Sequence, residues 1–297
     1  MRIAVTGTSG QVVTSLLERG PVAGQEVIAV GRPALDLADP ATILPALERA
    51  APDAIVSAAA WTAVDKAEEQ GEAAHAINAT GAGAVAQAAA RLGVPLVHIS
   101  TDYVFDGTLD RPWREDDPTG PTGVYGATKL AGEQAVLAAH ADSAVLRTAW
   151  VYSPFGANFA ATMLRLAEAR DELGVVGDQV GNPTSALDIA DGVLRVAANL
   201  AAGTDPAQRG LFHMSAAGEA SWAEFARAIF AASAELGGPA ARVNAITTAD
   251  YPTAATRPAN SRLDCSLIAA AHGVALPHWR DALPPVVARL LTQGTHA

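Results

Sequence analysis

The feature that most restricts this chain's fold lies at its start: a short β-branched run, Arg2-Ile3-Ala4-Val5-Thr6, stops at Gly7-Thr8-Ser9-Gly10-Gln11-Val12-Val13 and resumes with helical spacing from residue 14 to 19. Strand, glycine turn and helix follow one another within twenty residues. Gly7 permits the tight turn and Gly10 a close backbone approach, while the helix that follows offers unpaired N–H groups and a positive dipole end, a suitable seat for a pyrophosphate. Val13 stands where the third glycine of such a turn is expected, so helix and strand cannot approach quite as closely.

The alternation then repeats. Residues 26–30 read as a second strand, 40–51 as a helix, 54–60 as a buried strand ending in alanines, 64 onward as helix, 73–92 as an alanine-rich helix carrying Asn78, 94–99 as a buried strand, 124–139 as a helix and 143–148 as a further strand. Strands that alternate with helices imply parallel crossovers, and so an α/β fold: a doubly wound, Rossmann-like parallel sheet. Beyond Trp150 proline, glycine and asparagine break the pattern at 152–158 and 177–183. We therefore expect a dinucleotide-binding domain of residues 1–150 plus roughly 185–202. A smaller mixed α/β substrate-binding lobe is expected from 151–184 and 203–297, covering the open end of the sheet. No linker separates the two, which should share a cleft.

Three residues carry the chemistry expected of that cleft. Thr101 follows the apolar run at 94–99, at the carboxyl end of a strand, where open α/β sheets bind ligands. Tyr125 and Lys129 lie one helical turn apart, so the ammonium is expected beside the phenol, favouring its ionisation and making it an acid/base group. After the second strand stands Gly31-Arg32, where a NAD-selective site usually carries an acid. An arginine there suits the 2′-phosphate of NADP.

Composition excludes much else. A formal net charge of −11 without a Lys/Arg cluster argues against nucleic acid or an anionic membrane as partner, and no apolar run reaches the length of a membrane span. The single cysteine, Cys265, rules out an internal disulfide, and the seven histidines show no metal-ligand spacing, so no metal is expected. Residues 1–6 read as strand rather than as a charged leader, and the expected location is cytoplasmic.

Taken together, these residues resemble the extended short-chain dehydrogenases/reductases and, more narrowly, the dTDP-4-dehydrorhamnose reductase family. The likeness runs nearly end to end, through residues 7–12, 58–68 (AAAWTAVDKAE), 100–107 (STDYVFDG), 125–129 (YGATK), 146–152 (LRTAWVY), 178–184 (DQVGNPT) and 256–261 (TRPANS). The resemblance implies that Gln11, Val12, Asp36, Leu37, Ala60, Trp61, Thr62, Tyr125 and Lys129 contact NADPH or NADH. It implies that Thr101, Asp102, Tyr125 and Trp150 contact a nucleotide sugar, and that Arg257 meets its diphosphate. Two departures stand out: Trp61 occupies a position where a smaller His or Tyr is unsurprising, and the acidic residues that hold magnesium at a dimer contact in some relatives are not recognisable. No metal and no oligomeric state are carried over. The activity implied is hydride transfer to the C4 carbonyl of a dTDP-4-keto-6-deoxysugar, with a sister ketoreductase acting on another deoxysugar or streptose-type precursor, and a non-catalytic dinucleotide-binding regulatory subunit, as open alternatives.

Overall fold

A computed structural model describes residues 1–294. Its centre is a six-stranded, all-parallel sheet of β1 (Arg2–Thr6), β2 (Glu26–Val30), β3 (Ala54–Ser57), β4 (Leu96–Thr101), β5 (Ser143–Thr148) and β6 (Gly210–His213), in the spatial order β6-β5-β4-β3-β1-β2. Strand order reverses direction between β1 and β3. A doubly wound sheet opens its ligand crevice at the carboxyl ends of the strands there.

Period-two alternation along each strand builds a core on either face. Ile3 and Val5 of β1, Val56 of β3, Val97 of β4 and Leu146 of β5 pack against α1 (Gln11–Val22) and a long helix, Ala186–Ala202. Ala4, Ile55, Leu96 and Val145 face the opposite way, onto α2 (Ile43–Ala50) and α3 (Ala82–Leu92). The strand pattern and most helices stand where the sequence places them, including α4 (Val124–Ala139), and the stretch 185–202 expected to join the first domain holds α5 (Ala186–Ala202). The latter returns to the sheet, fastened to α1 by a forked Arg19–Asp191 pair at 2.7 Å.

Four local expectations change. The helix expected over 40–51 begins as a 3₁₀ turn, Pro40–Thr42, capped by the Asp39 carboxylate. The strand expected over 54–60 ends at Ser57, because the Thr6 hydroxyl accepts the Ala58 and Ala59 N–H groups, each at 3.1 Å, and turns the chain out of the ladder. The helix expected over 73–92 contains a π segment, Ala76–Gly81, holding Asn78. Residues 210–213, assigned to the second lobe from sequence, form the edge strand β6 beside β5.

The remaining chain builds a smaller lobe around Phe159–Ala167, the parallel pair Glu172–Val176 with Arg242–Ile246, α6 (Trp222–Glu235) and the closing helix Trp279–Gly294. Its core is aromatic, with Tyr152, Phe225 and Trp279 fully buried. Among the described residues no helix is long and apolar enough to cross a membrane.

Candidate active site

A cleft of about 1040 Å³ runs over the carboxyl ends of β1, β3, β4 and β5 and under the second lobe. Of the residues singled out from sequence it is lined by Gly7, Gly10, Gln11, Val12, Arg32, Asp36, Leu37, Ala60, Thr62, Thr101, Asp102, Tyr125, Lys129 and Trp150. Trp61 and Arg257 are not in its wall. The Trp61 indole N–H donates to the Ala63 carbonyl, and the Arg257 guanidinium is paired with Asp65 at 2.6 Å.

One end of the cleft is polar backbone. Gly7 adopts φ +101°, and α1 begins after Gly10 with no side chain capping its first turn, so its leading N–H groups face the cleft unclaimed by the protein's own side chains. The Gln11 side chain is held by the Ser153 hydroxyl, which donates to Oε1 at 2.8 Å. Arg32 is exposed on the rim. These features fit the phosphates of a dinucleotide: uncapped donors, a glycine cradle and a cation beyond the second strand.

The middle of the cleft is set by α4. A Cβ on Gly126 would lie 2.1 Å from the Tyr103 carbonyl oxygen, so only glycine lets this helix press onto the turn after β4. That contact brings Tyr125 beside Thr101 and sets it edge-on to Tyr103, ring centroids 5.4 Å apart. Asn78 secures the other flank. Its amide donates to the Trp61 carbonyl and to the Thr128 hydroxyl, each at 3.1 Å, and its carbonyl accepts from the Trp61 backbone at 2.8 Å. Asn78 thus ties the loop after β3 to α4.

The electrostatics differ from the expected Tyr–Lys pairing. Burial pushes Tyr125 up to about 12, partly offset by the Thr101 hydroxyl. Burial pushes Lys129 down to about 8, against the attraction of Glu133. The lysine donates to the Ile99 carbonyl at 2.7 Å and stands 3.5 Å from His98 Nε2, a ring that burial holds well below its usual range. Lys129 therefore leans into the floor of the site, and Tyr125 keeps its proton at neutral pH. Asp102, whose Oδ1 accepts from Thr101 at 2.9 Å, is raised to about 6 by burial, with Ser261 and Thr101 opposing.

The far wall is aromatic and was only half visible in the sequence. Trp150 sits at φ +48°, a left-handed conformation that side chains rarely adopt and that marks a constrained site. Trp222, the first residue of α6, stacks on it with centroids 3.5 Å apart and planes within 7°. A Cβ on Gly181 would lie 2.5 Å from Trp150 Cε2, so only glycine lets the backbone here press against the indole. Trp150 is thus held between Trp222 and Gly181. Phe155 and Phe159 extend the wall. The missed residue with a readable signal is Trp222: Ser221 and Glu224 form a capping box, which starts a helix there and aims its first side chain at the cleft mouth.

Comparison with known proteins places this architecture in company. Residues 1–292 match the family model described as RmlD substrate binding domain. The chain is similar to a dTDP-4-dehydrorhamnose reductase of Sinorhizobium fredii, 48% identical over 100% of both chains, and to one of Burkholderia thailandensis, 44% identical over 99% of this chain and 100% of the relative. Among solved structures, a dTDP-4-dehydrorhamnose reductase of Clostridium acetobutylicum superposes with a TM-score of 0.90 at 36% identity, covering 99% of this chain and 100% of that one. One of Bacillus anthracis, in complex with NADP, superposes with a TM-score of 0.89 at 32% identity, covering 97% and 98%.

Proposed function

This chain belongs to the RmlD family of dTDP-4-dehydrorhamnose reductases, and on that premise we propose that it reduces the C4 carbonyl of dTDP-4-dehydro-L-rhamnose with NADPH, giving dTDP-L-rhamnose. The observation that carries the reading is the meeting, in one cleft, of an uncapped helix N-terminus with a half-buried, protonated tyrosine beside a strand-end threonine.

The dinucleotide would lie along Gly7, Gly10, Gln11 and Val12 at its phosphates, Arg32 at a 2′-phosphate, and Asp36, Leu37, Ala60 and Thr62 toward its nucleosides. Bound there, it supplies the hydride. The chain's own groups handle the oxygen and its proton. The Thr101 hydroxyl holds the substrate carbonyl oxygen, and Tyr125 Oη gives that oxygen its proton as negative charge develops on it. A phenol raised to about 12 by burial is still protonated when needed, which suits a donor in the reductive direction. Lys129, charged below about pH 8 and anchored by the Ile99 carbonyl, steadies the phenolate that remains and is placed to meet a ribose hydroxyl. Asp102 and the Trp150–Trp222 stack border the sugar. Arg257, held to Asp65 through Nη2, would meet the diphosphate through its unpartnered Nη1.

The test is turnover with defined substrates. Purified protein incubated with NADPH and enzymatically prepared dTDP-4-dehydro-L-rhamnose should oxidise the cofactor and yield dTDP-L-rhamnose. NADPH oxidation only with a different 4-keto-6-deoxysugar would move the assignment to a sister ketoreductase. Dinucleotide binding without reduction of any such sugar would overturn the enzymatic reading.

A further inference from the structure

At the cleft floor lies a buried cluster to which the proposed chemistry gives no step of its own. Glu133 of α4 and Arg147 of β5 form a forked pair at 2.9 and 2.7 Å, and each side chain is only 3% exposed. Ser100 of β4 donates to the same carboxylate at 2.5 Å, and Arg147 also lies over the Phe105 ring at 4.9 Å. Burying two charges costs desolvation that their attraction need not recover, and apolar replacement of such a pair is often neutral or stabilising. Stability is thus a weak reason for it.

Its position supplies a better one. Ser100 and Arg147 are register partners across β4 and β5, and each directly precedes a cleft residue, Thr101 and Thr148, which are themselves partners. Glu133 lies one helical turn beyond Lys129 and two beyond Tyr125. A single carboxylate therefore joins the three elements that carry the hydroxyl, the phenol and the amine. We propose that Glu133, Arg147 and Ser100 form a positioning unit, which locks β4, β5 and α4 in one register and fixes the charge that Lys129 experiences.

The charges around Lys129 can be enumerated. Glu133 acts on it from one turn along α4, with Tyr125 one turn the other way; His98 of β4 stands 3.5 Å from it, Asp102 follows the end of β4, Arg147 of β5 is paired with Glu133, Glu68 is bound to the start of α4 at the Val124 N–H and the π segment presents neutral Asn78. Burial keeps His98 neutral, so Glu133 is the near charge that holds the lysine up, and Arg147 is the opposite charge paired with that carboxylate.

This proposal rests on the reading of Lys129 given above, and the pH profile of kcat/KM separates the two. Failure of that reading shows in the unsubstituted protein, as absent turnover. The positioning role is tested only in variants. Glu133→Gln should move the alkaline limb to lower pH and Arg147→Met should move it to higher pH, by roughly a unit each, an opposition that a merely structural pair does not produce. Since either single change leaves an unpaired buried group, the double variant Glu133→Met/Arg147→Met provides the control that keeps its fold. It should melt near the unsubstituted protein, show a limb between those of the two single variants, and lose about tenfold or more in kcat with both KM values little changed. A double variant with unsubstituted kcat and limb, single-variant limbs that move the same way, or a double variant that does not fold would each overturn the proposal.

Discussion

The two walls of the cleft are built on opposite plans. The sheet wall is made of small and polar residues: Thr101 at the end of β4 and Lys129 on α4, fixed by hydrogen bonds to Asp102 and to the Ile99 carbonyl, with Tyr125 beside them and the bare N-terminus of α1. The lobe wall is aromatic, with Trp150, Phe155 and Phe159 from the crossover and Trp222 from α6, held by stacking and by the missing side chain of Gly181. Directional bonds place a proton to within a fraction of an ångström, whereas ring stacking tolerates sliding and fills volume. On the proposed function the contrast becomes a division of labour, in which the sheet wall would perform the chemistry and the lobe wall would select and orient the sugar.

The division can be broken at the sheet wall first. Tyr125→Phe keeps the ring against Tyr103 but removes the proton, so kcat should fall by roughly a hundred- to ten-thousandfold while NADPH binding, followed by fluorescence titration, stays close to native. Lys129→Met should lower kcat by about tenfold to a hundredfold and weaken the dinucleotide, yet raise the melting temperature. The sign follows from the lysine's depression from its ordinary 10.5 to about 8. The folded state binds fewer protons than the unfolded state between those values, so this group makes native stability rise as pH climbs through that window. At neutral pH its buried charge costs on the order of a few kcal/mol. Melting curves at pH 7 and pH 10 should show Lys129→Met gaining most at the lower pH; a variant destabilised at both would contradict the account.

Smaller effects should come from the lobe wall and the rim. Trp222→Ala removes the stacking partner of Trp150 and should raise KM for the nucleotide sugar by about three- to tenfold with kcat little changed. Smallest is Arg32→Ala, which should weaken NADPH by about three- to fivefold and leave NADH untouched, because an exposed cation at the rim is well screened. Equal losses for both cofactors would make Arg32 a general surface charge.

The same contrast explains what the sequence disclosed. The sheet wall is local: β-branched runs, Gly7 and Gly10, and a Tyr and Lys one turn apart are short-range patterns, and they located β1 to β5, α4 and the polar half of the cleft. The lobe wall is assembled from residues far apart, and no short-range pattern links Gly181 to Trp150 or Trp150 to Trp222. Edge strand β6 escaped for a related reason, since it joins β5 after an excursion through the second lobe. Lys129 shows a third limit. Spacing gave its neighbour on the helix, but the Ile99 carbonyl that claims the amine belongs to the strand beneath.

The most direct test of the division is the single-turnover rate of hydride transfer at rising nucleotide-sugar concentration, compared among the unsubstituted protein, Tyr125→Phe and Trp222→Ala. The account predicts that Trp222→Ala reaches nearly the unsubstituted rate once the sugar is saturating, whereas Tyr125→Phe remains slow at every concentration. A Tyr125→Phe rate within a few-fold of the unsubstituted protein, or a Trp222→Ala rate that stays low at saturation, would contradict it.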